Sequence, residues 1–137
     1  MNQAIRNVTI QTQGRGFTDV TGEARAFVAE HTVTTGLLTV FCRHTSASLL
    51  IQENADPDVM RDLDSFFRKI APEDGHYRHD DEGPDDMPAH IRAALTQSSL
   101  SIPVVNGKLA LGTWQAVYLC EHRAESHRRE VVLHLIG

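Results

Sequence analysis

Six apolar segments of the chain, several of them alternating with polar residues, predict β-strands, and three other segments predict helices. The predicted strands cover residues 8–12, 37–42, 49–51, 100–105, 109–120 and 129–136. One helix is expected near residues 24–31, a second begins at Pro57, and a third begins at Pro88. Asn54 or Asp56 is expected to cap the second helix, whose apolar positions form one buried stripe. The stripe consists of Val59, Leu63, Phe66, Phe67 and Ile70.

A tight hairpin is indicated by Asn106 and Gly107, which stand between two apolar runs and tolerate the positive φ angles of a type I′ turn. The strand that follows leads to Gly112, Trp114 and Gln115. Strand formation does not require this combination of residues, and a glycine within a strand often marks a bulge or a close approach of the backbone. A hairpin with a buried tryptophan and a hairpin that contributes to a binding site are both compatible with this pattern.

The composition is that of an ordinary globular domain, with 137 residues, 41% of them hydrophobic and 23% charged. This length predicts one domain over residues 1–137. The formal net charge of −5 argues against a nucleic-acid partner, and no segment has the pattern of a membrane span or a secretion signal. Cys42 and Cys120 lie in apolar runs, which is typical of buried thiols in a reducing compartment. We therefore expect a cytoplasmic protein without a membrane partner.

A first group of candidate site residues follows Arg43. His44, Ser46 and Ser48 would share one face if this segment is extended, and their side chains could bind an anion. Further polar side chains gather where the second helix begins, and these are Glu53, Asn54 and Asp56. Helix capping explains one of these three, and ligand binding is the alternative for the others.

A second group of candidate residues lies in the acidic, irregular segment 71–88 and just after it. His79 and His90 stand near Asp85 and Asp86, a combination that suits a divalent metal ion or an acid–base pair. The spacing matches no standard zinc motif, so a solvated acidic loop is the alternative interpretation.

Arginines near the last strand form a third group. Arg129 could bind a phosphate or carboxylate, whereas Arg123 and Arg128 are interpreted as part of an exposed turn. The histidines expected at the surface are His31, His122 and His127.

Five motifs come in an order that resembles the YjbQ family, also called the secondary thiamine-phosphate synthase-like family or uncharacterised protein family 0047. They are His44–Ser48 (HTSAS), Glu53–Pro57 (ENADP), Tyr77–His79 (YRH), Glu82–His90 (EGPDDMPAH) and Asn106–Gln115 (NGKLALGTWQ). The resemblance covers nearly the whole chain, and the motifs are specific only when they are taken together.

The resemblance implies an α+β domain in which antiparallel sheets pack as a sandwich with about three helices, assembled as a homotrimer. The family name implies a weak thiamine-phosphate synthase activity, which joins an aminopyrimidine pyrophosphate to a thiazole phosphate with loss of pyrophosphate. The dedicated thiamine-phosphate synthases are (β/α)₈ barrels, which a chain of 137 residues is too short to form. Any such activity here would therefore use an unrelated scaffold.

Combining the resemblance with the chemistry of the side chains gives three sets of expected site residues. The expected metal ligands, for Zn²⁺ or Mg²⁺, are His44, His79 and His90. The expected catalytic residues are Glu53, Asp86 and Gln115. The expected ligand-binding residues are Ser46, Ser48, Asn54, Asp56, Trp114 and Arg129.

Two functions follow as hypotheses. The first is a small metal-assisted enzyme that acts on a phosphorylated metabolite, and the second is a non-catalytic trimer that binds a small anionic ligand. Both predict that His44, His79 and His90 converge on one pocket. We also expect Trp114 to be largely buried beneath that pocket, with the Gln115 amide pointing into it.

Overall fold

Eight strands and three helices follow one another along residues 2–137, the part of the chain that this computed structural model describes. The strands are β1 (Gln3–Gln11), β2 (Gly16–Asp19), β3 (Gly36–Cys42), β4 (Ala47–Glu53), β5 (Ser99–Val105), β6 (Lys108–Leu109), β7 (Gln115–Glu121) and β8 (Arg128–Ile136). The helices are α1 (Thr21–Ala29), α2 (Pro57–Ile70) and α3 (Asp86–Leu95).

The strands form two antiparallel sheets, one of five strands in the order β1-β8-β3-β5-β6 and one of three in the order β2-β7-β4. Alternate side chains of both sheets enter one hydrophobic core, which includes Leu38, Leu49 and Leu119. Each of these three is fully buried, which stabilises the fold by about 1.5–3 kcal/mol per side chain. The expected α+β fold with antiparallel sheets and three helices is confirmed.

The hairpin predicted at Asn106 and Gly107 is confirmed, since both residues have positive φ angles, of 52° and 77°. It joins β5 to β6, with Val104 opposite Leu109. The strand predicted over 109–120 is interrupted, because β6 ends at Leu109 and β7 begins only at Gln115. The Gly112 N–H donates to the Gln115 side chain in this interruption, so the segment makes a local turn instead of ladder bonds.

Helix α2 begins as predicted, with Pro57 in its first turn and the Asp56 carboxylate accepting a hydrogen bond from the Asp58 N–H at 2.9 Å. The predicted buried stripe is wrong in part, because only Phe67 is buried while Phe66 and Ile70 are 54% and 40% exposed. Phe67 packs edge-on against the ring of His122, while Val59 and Leu63 on the same stripe are half-buried.

Helix α3 begins at Asp86, two residues before the predicted start at Pro88. A proline is tolerated in the first turn because the N–H groups there have no partner within the helix. This earlier start places Asp86 and His90 one helical turn apart on α3.

Cys42 and Cys120 are both buried free thiols, as expected. Burial raises the pKa of Cys120 to about 12, so this thiol stays protonated. Among residues 2–137, none of the helices has the length and apolar content needed to cross a lipid bilayer.

Candidate metal centre

Three side chains converge where the loop before α3 meets the start of that helix. Nε2 of His79 lies 2.6 Å from Oδ2 of Asp86, and Nε2 of His90 lies 3.2 Å from the same oxygen. One ligand atom of each residue lies within 4.8 Å of the others. Asp86 and His90 meet because side chains four residues apart share a helix face, and the loop brings in His79.

Asp86 is a buried carboxylate, with only 2% of its side chain exposed. Burial alone would raise its pKa, but the hydrogen bond from His79 and the charges of His90 and Arg123 outweigh that effect and lower it. Nη1 of Arg123 lies 2.9 Å from Oδ1, the oxygen that does not face the histidines. Asp86 is therefore held ionised, with Oδ1 tied to Arg123 and Oδ2 directed towards both histidines.

Arg123 is also held by Asp85, whose Oδ2 accepts from its Nε at 2.9 Å. Its Nη2 donates to the carbonyl oxygen of Glu82. The interpretation of Arg123 as an exposed turn residue is wrong, because it connects the end of β7 to the start of α3. Nothing in the sequence pairs residue 123 with residues 85 and 86, which lie almost forty positions away.

The orientation of the His90 ring is fixed by a hydrogen bond on the side away from Asp86. Its Nδ1 lies 3.0 Å from the carbonyl oxygen of Thr45, which accepts hydrogen bonds only, so Nδ1 carries a proton. In the neutral ring the lone pair is then on Nε2, which faces an ionised carboxylate oxygen of Asp86. Two lone pairs at 3.2 Å repel one another unless a proton or a metal cation lies close to both.

His44 does not join this group, which corrects the expected convergence of three histidines. Its Nε2 accepts a hydrogen bond from the Glu130 N–H at 2.8 Å, and the ring lies outside the group of possible metal ligands. Burial and the nearby charge of Arg129 lower the pKa of His44, which keeps the ring neutral in this position. Among residues 2–137, the group of possible metal ligands consists of His79, Asp86 and His90.

Arg129 is satisfied within the fold, in contrast to its expected role in phosphate binding. Its Nε donates to Glu121 at 2.8 Å, and its Nη2 donates to the Ser46 hydroxyl at 3.1 Å. Thr12 donates to the same Glu121 carboxylate at 2.7 Å. Arg129, Glu121 and Ser46 therefore form an internal network in which Nε and Nη2 of the buried arginine are already occupied.

Ser48 is likewise an internal residue. Its hydroxyl lies 2.8 Å from Nε2 of His122, and Thr96 donates to it as well. His122 was expected at the surface but is 3% exposed, and burial lowers its pKa to about 4. The available sequence signal is the apolar run before His122, since β7 is buried from Ala116 to its last residue, Glu121.

The remaining expected site residues lie at the other end of the same strands. Glu53 stands opposite Gln115 in the β4–β7 ladder, whereas Ala47, near the histidines, stands opposite Glu121. Six residue steps separate Ala47 from Glu53 along β4, which corresponds to roughly 20 Å. Within one chain, this second group is therefore remote from His79, Asp86 and His90.

Trp114 and Gln115 differ from their predicted environments. Trp114 is 61% exposed and forms no wall beneath a pocket. The Gln115 side chain is also exposed, and its amide oxygen accepts the Gly112 N–H at 2.7 Å, so it does not point towards the histidines. Glu53 accepts a hydrogen bond from the Asp56 N–H at 3.3 Å, which gives both residues a role at the start of α2.

Comparison with known proteins finds similarity along nearly the whole chain. A family model described as UPF0047 protein YjbQ-like matches residues 6–137. UPF0047 protein sll1880 of Synechocystis sp. is 58% identical over 131 residues, which is 95% of this chain and 89% of that protein. UPF0047 protein YjbQ of Escherichia coli O157:H7 is 41% identical over 133 residues, or 96% of each chain.

Solved structures show the same fold. A YjbQ/UPF0047-family protein from Clostridium acetobutylicum matches with a TM-score of 0.89 at 39% identity, covering 96% of this chain and 99% of that one. The hypothetical protein APE1520 from Aeropyrum pernix also has a TM-score of 0.89, at 31% identity over 98% of both chains.

Proposed function

The chain belongs to the UPF0047 family of YjbQ-like proteins, and we propose that it is a small metal-assisted enzyme that acts on a phosphorylated metabolite. The observation that carries this proposal is the convergence of His79, Asp86 and His90 on a volume that a single cation can fill. The ring of His90 is oriented by a backbone carbonyl and Asp86 by an arginine, which is the outer-shell support that metal ligands commonly have.

The donor set favours Zn²⁺ over Mg²⁺. Two imidazole nitrogens and one carboxylate oxygen suit Zn²⁺ and other borderline transition ions, whereas Mg²⁺ prefers oxygen donors throughout. Three protein ligands leave a position open, as in catalytic zinc sites. A bound ion would supply Lewis-acid stabilisation of charge on a phosphoryl or leaving-group oxygen.

The site also has room beside it for a substrate. A cavity of about 390 Å³ adjoins His79 and falls in the size range of small-molecule sites. It is lined mainly by the loop before α3, with the polar side chains of His76, Tyr77 and Asp80 on its walls. The reaction named for the family, transfer of an aminopyrimidine from pyrophosphate to a thiazole phosphate, is the specific chemistry that we propose to test.

A homotrimer is part of the same proposal. The remote group of polar residues at the Glu53 end of β4 can act together with the histidines only if another subunit supplies it. The exposed Trp114 supports this arrangement, because tryptophan is enriched in protein interfaces and is costly to leave in water.

Metal binding is tested by calorimetric titration of the metal-free protein with Zn²⁺ and with Mg²⁺. We expect Zn²⁺ to bind at one site per chain, and we expect His90→Ala to weaken this binding at least 100-fold, since one of three ligands is lost. His134→Ala is the matched control, because His134 lies on β8 and contacts Gln3 instead. Equal Zn²⁺ affinity in the two variants would refute the metal centre.

Turnover is tested with the Zn²⁺-loaded protein, an aminopyrimidine pyrophosphate and a thiazole phosphate, with product detected by mass spectrometry. We expect product and released pyrophosphate that disappear in the Asp86→Asn variant. Tight binding of either phosphate compound without any product would instead favour the non-catalytic anion-binding trimer.

A further inference from the structure

A second cavity, of about 160 Å³, lies between the end of α2, helix α3 and the turn that joins β1 to β2. Three arginines and one carboxylate line it. The lining residues are Arg15, Arg68, Ala71, Pro72, Glu73 and Arg92. These arginines come from three separate parts of the chain, so no local pattern in the sequence groups them.

Arg92 is the unusual member of this group. The residue is 2% exposed, and its hydrogen bond is a long one, from Nη2 to the Ala71 carbonyl oxygen at 3.4 Å. Its Nε is buried without a hydrogen-bond partner among residues 2–137. No carboxylate in this part of the chain forms an ion pair with it. The carboxylates of Asp64 and Glu73 are near enough to act on its charge, but neither is in ion-pair contact with it. A buried guanidinium without a contacting anion is costly, which indicates that an anion belongs beside it.

The other two arginines keep free donors. Arg15 lies 2.7 Å from Glu73 through one Nη, and Arg68 lies 2.9 Å from Asp64 through Nε. A guanidinium has five N–H donors, so each of these ion pairs leaves several unused. The three arginines outnumber the carboxylates even when Asp64, which pairs with Arg68 outside the lining, is counted with Glu73, so one positive charge is in excess.

We propose that this cavity binds a phosphate-class oxyanion, either inorganic phosphate or the phosphoryl group of a small ester. Guanidinium groups match the oxygen spacing of phosphate and bind it through paired, charge-assisted hydrogen bonds. The volume corresponds to about five water molecules at ~30 Å³ each, which suits a phosphoryl group and is too small to enclose a whole nucleotide.

The proposal does not depend on the metal centre. Glu73 lines this cavity and also the larger cavity beside His79, so the two spaces are neighbours separated by one side chain. The ligands of the two sites are nevertheless different residues, and variants can therefore test each site separately.

The first test is calorimetric titration of the metal-free full chain with inorganic phosphate at constant ionic strength. We expect Arg68→Gln to weaken phosphate binding about tenfold, the usual effect of losing a charge-assisted contact. Arg61→Gln is a matched control, since Arg61 also lies on α2 and pairs with an aspartate but does not line the cavity. We expect that control to change phosphate affinity less than twofold.

The second test predicts a gain of binding. Glu73→Gln removes the carboxylate that competes for Arg15, so we expect it to tighten phosphate binding several-fold. A purely structural role for the arginines predicts no gain, and neither variant alters the buried Arg92.

Three results would overturn the proposal. The first is an unchanged phosphate affinity in both Arg68→Gln and Glu73→Gln. The second is acetate binding as strong as phosphate binding. The third is loss of phosphate binding in Asp86→Asn while Arg68→Gln binds phosphate normally. The last result would assign the anion to the metal centre.

Discussion

Two buried carboxylates in this protein, those of Glu121 and Asp86, differ in how their oxygens are hydrogen-bonded. Glu121 is 2% exposed, and its oxygens are bound by Arg129, Thr12 and the Arg123 N–H, so the fold itself satisfies the charge. Asp86 is equally buried, but one of its oxygens faces only two histidines. This difference separates a structural ion pair from a candidate metal ligand.

The pair of Glu121 and Arg129 yields a stability prediction. We expect Glu121→Gln to lower the free energy of unfolding by about 3–5 kcal/mol, because it leaves the buried Arg129 charge unpaired. The double variant Glu121→Leu with Arg129→Met should be less destabilised than Glu121→Gln, since no buried charge remains. Urea unfolding of the three proteins checks this, and a double variant that is the least stable of the set would contradict it.

His122 gives a prediction of pH dependence. Burial, with the charge of Arg92 adding to it, lowers the pKa of His122 to about 4, whereas the unfolded chain takes up this proton near pH 6.5. Stability is therefore complete above about pH 6.5 and is lost as pH falls towards 4, by on the order of 3 kcal/mol.

The check is the slope of unfolding free energy against pH, measured for the wild type and for His122→Gln. The variant should lose most of the slope between pH 6.5 and 5, and the remainder there is expected from His44, whose pKa is also lowered. Below about pH 5 the carboxylates with lowered pKa values, Glu121 and Asp86, add their own slope in every variant. Asn7→Ala, which changes an exposed residue of β1 without a titratable group, serves as the control and should keep the wild-type slope. An identical slope in all three proteins would exclude His122 as the titrating group.

The local signals in the sequence predicted all three helices and most strands, but not β2, whose four residues have no alternating apolar pattern. Pro57 after a capping aspartate, and Asn106 before Gly107, determine backbone geometry within a few residues, and both predictions are confirmed. The stripe on α2 was predicted less well, because periodicity shows which face is apolar but not how much of it another element covers.

The candidate site was predicted only where its residues are close in sequence. His79, Asp86 and His90 lie within twelve positions, and a helix turn brings two of them together. Arg123 was missed because its contact with Asp86 depends on the end of β7 and the start of α3 being close in space, although they are distant in sequence. The expected roles of Arg129 and Ser48 failed for the same reason, since their partners are distant in sequence.

The start of α2 allows a test of whether Asp56 stabilises the helix as its N-cap. We expect Asp56→Ala to lower the free energy of unfolding by about 1 kcal/mol, because the Asp58 N–H loses its side-chain acceptor. Asp62→Ala, on the exposed side of the same helix, should change it by less than ~0.5 kcal/mol. Chemical denaturation compares the two variants, and equal losses would show that Asp56 does not act as a cap.

The proposed homotrimer would bring together side chains that lie far apart within one chain. The histidines lie near one end of the β4–β7 pair, and Glu53, beside Gln115, lies at the other end, roughly 20 Å away. Rotational symmetry in a trimer can place unlike ends of neighbouring subunits side by side. On the proposed function, each complete site would then combine residues from two subunits.

Subunit mixing tests this arrangement. His90→Ala and Glu53→Ala chains, each expected to be inactive alone, are unfolded together, refolded as mixed trimers and assayed for pyrophosphate release from the aminopyrimidine pyrophosphate. If each site takes His90 from one subunit and Glu53 from its neighbour, random mixing of equal amounts restores about a quarter of the sites. If each site takes both His90 and Glu53 from the same chain, every site in the mixed trimers lacks one of the two side chains and no activity returns. Light scattering must first show a trimer, because a monomeric protein would already exclude the shared site.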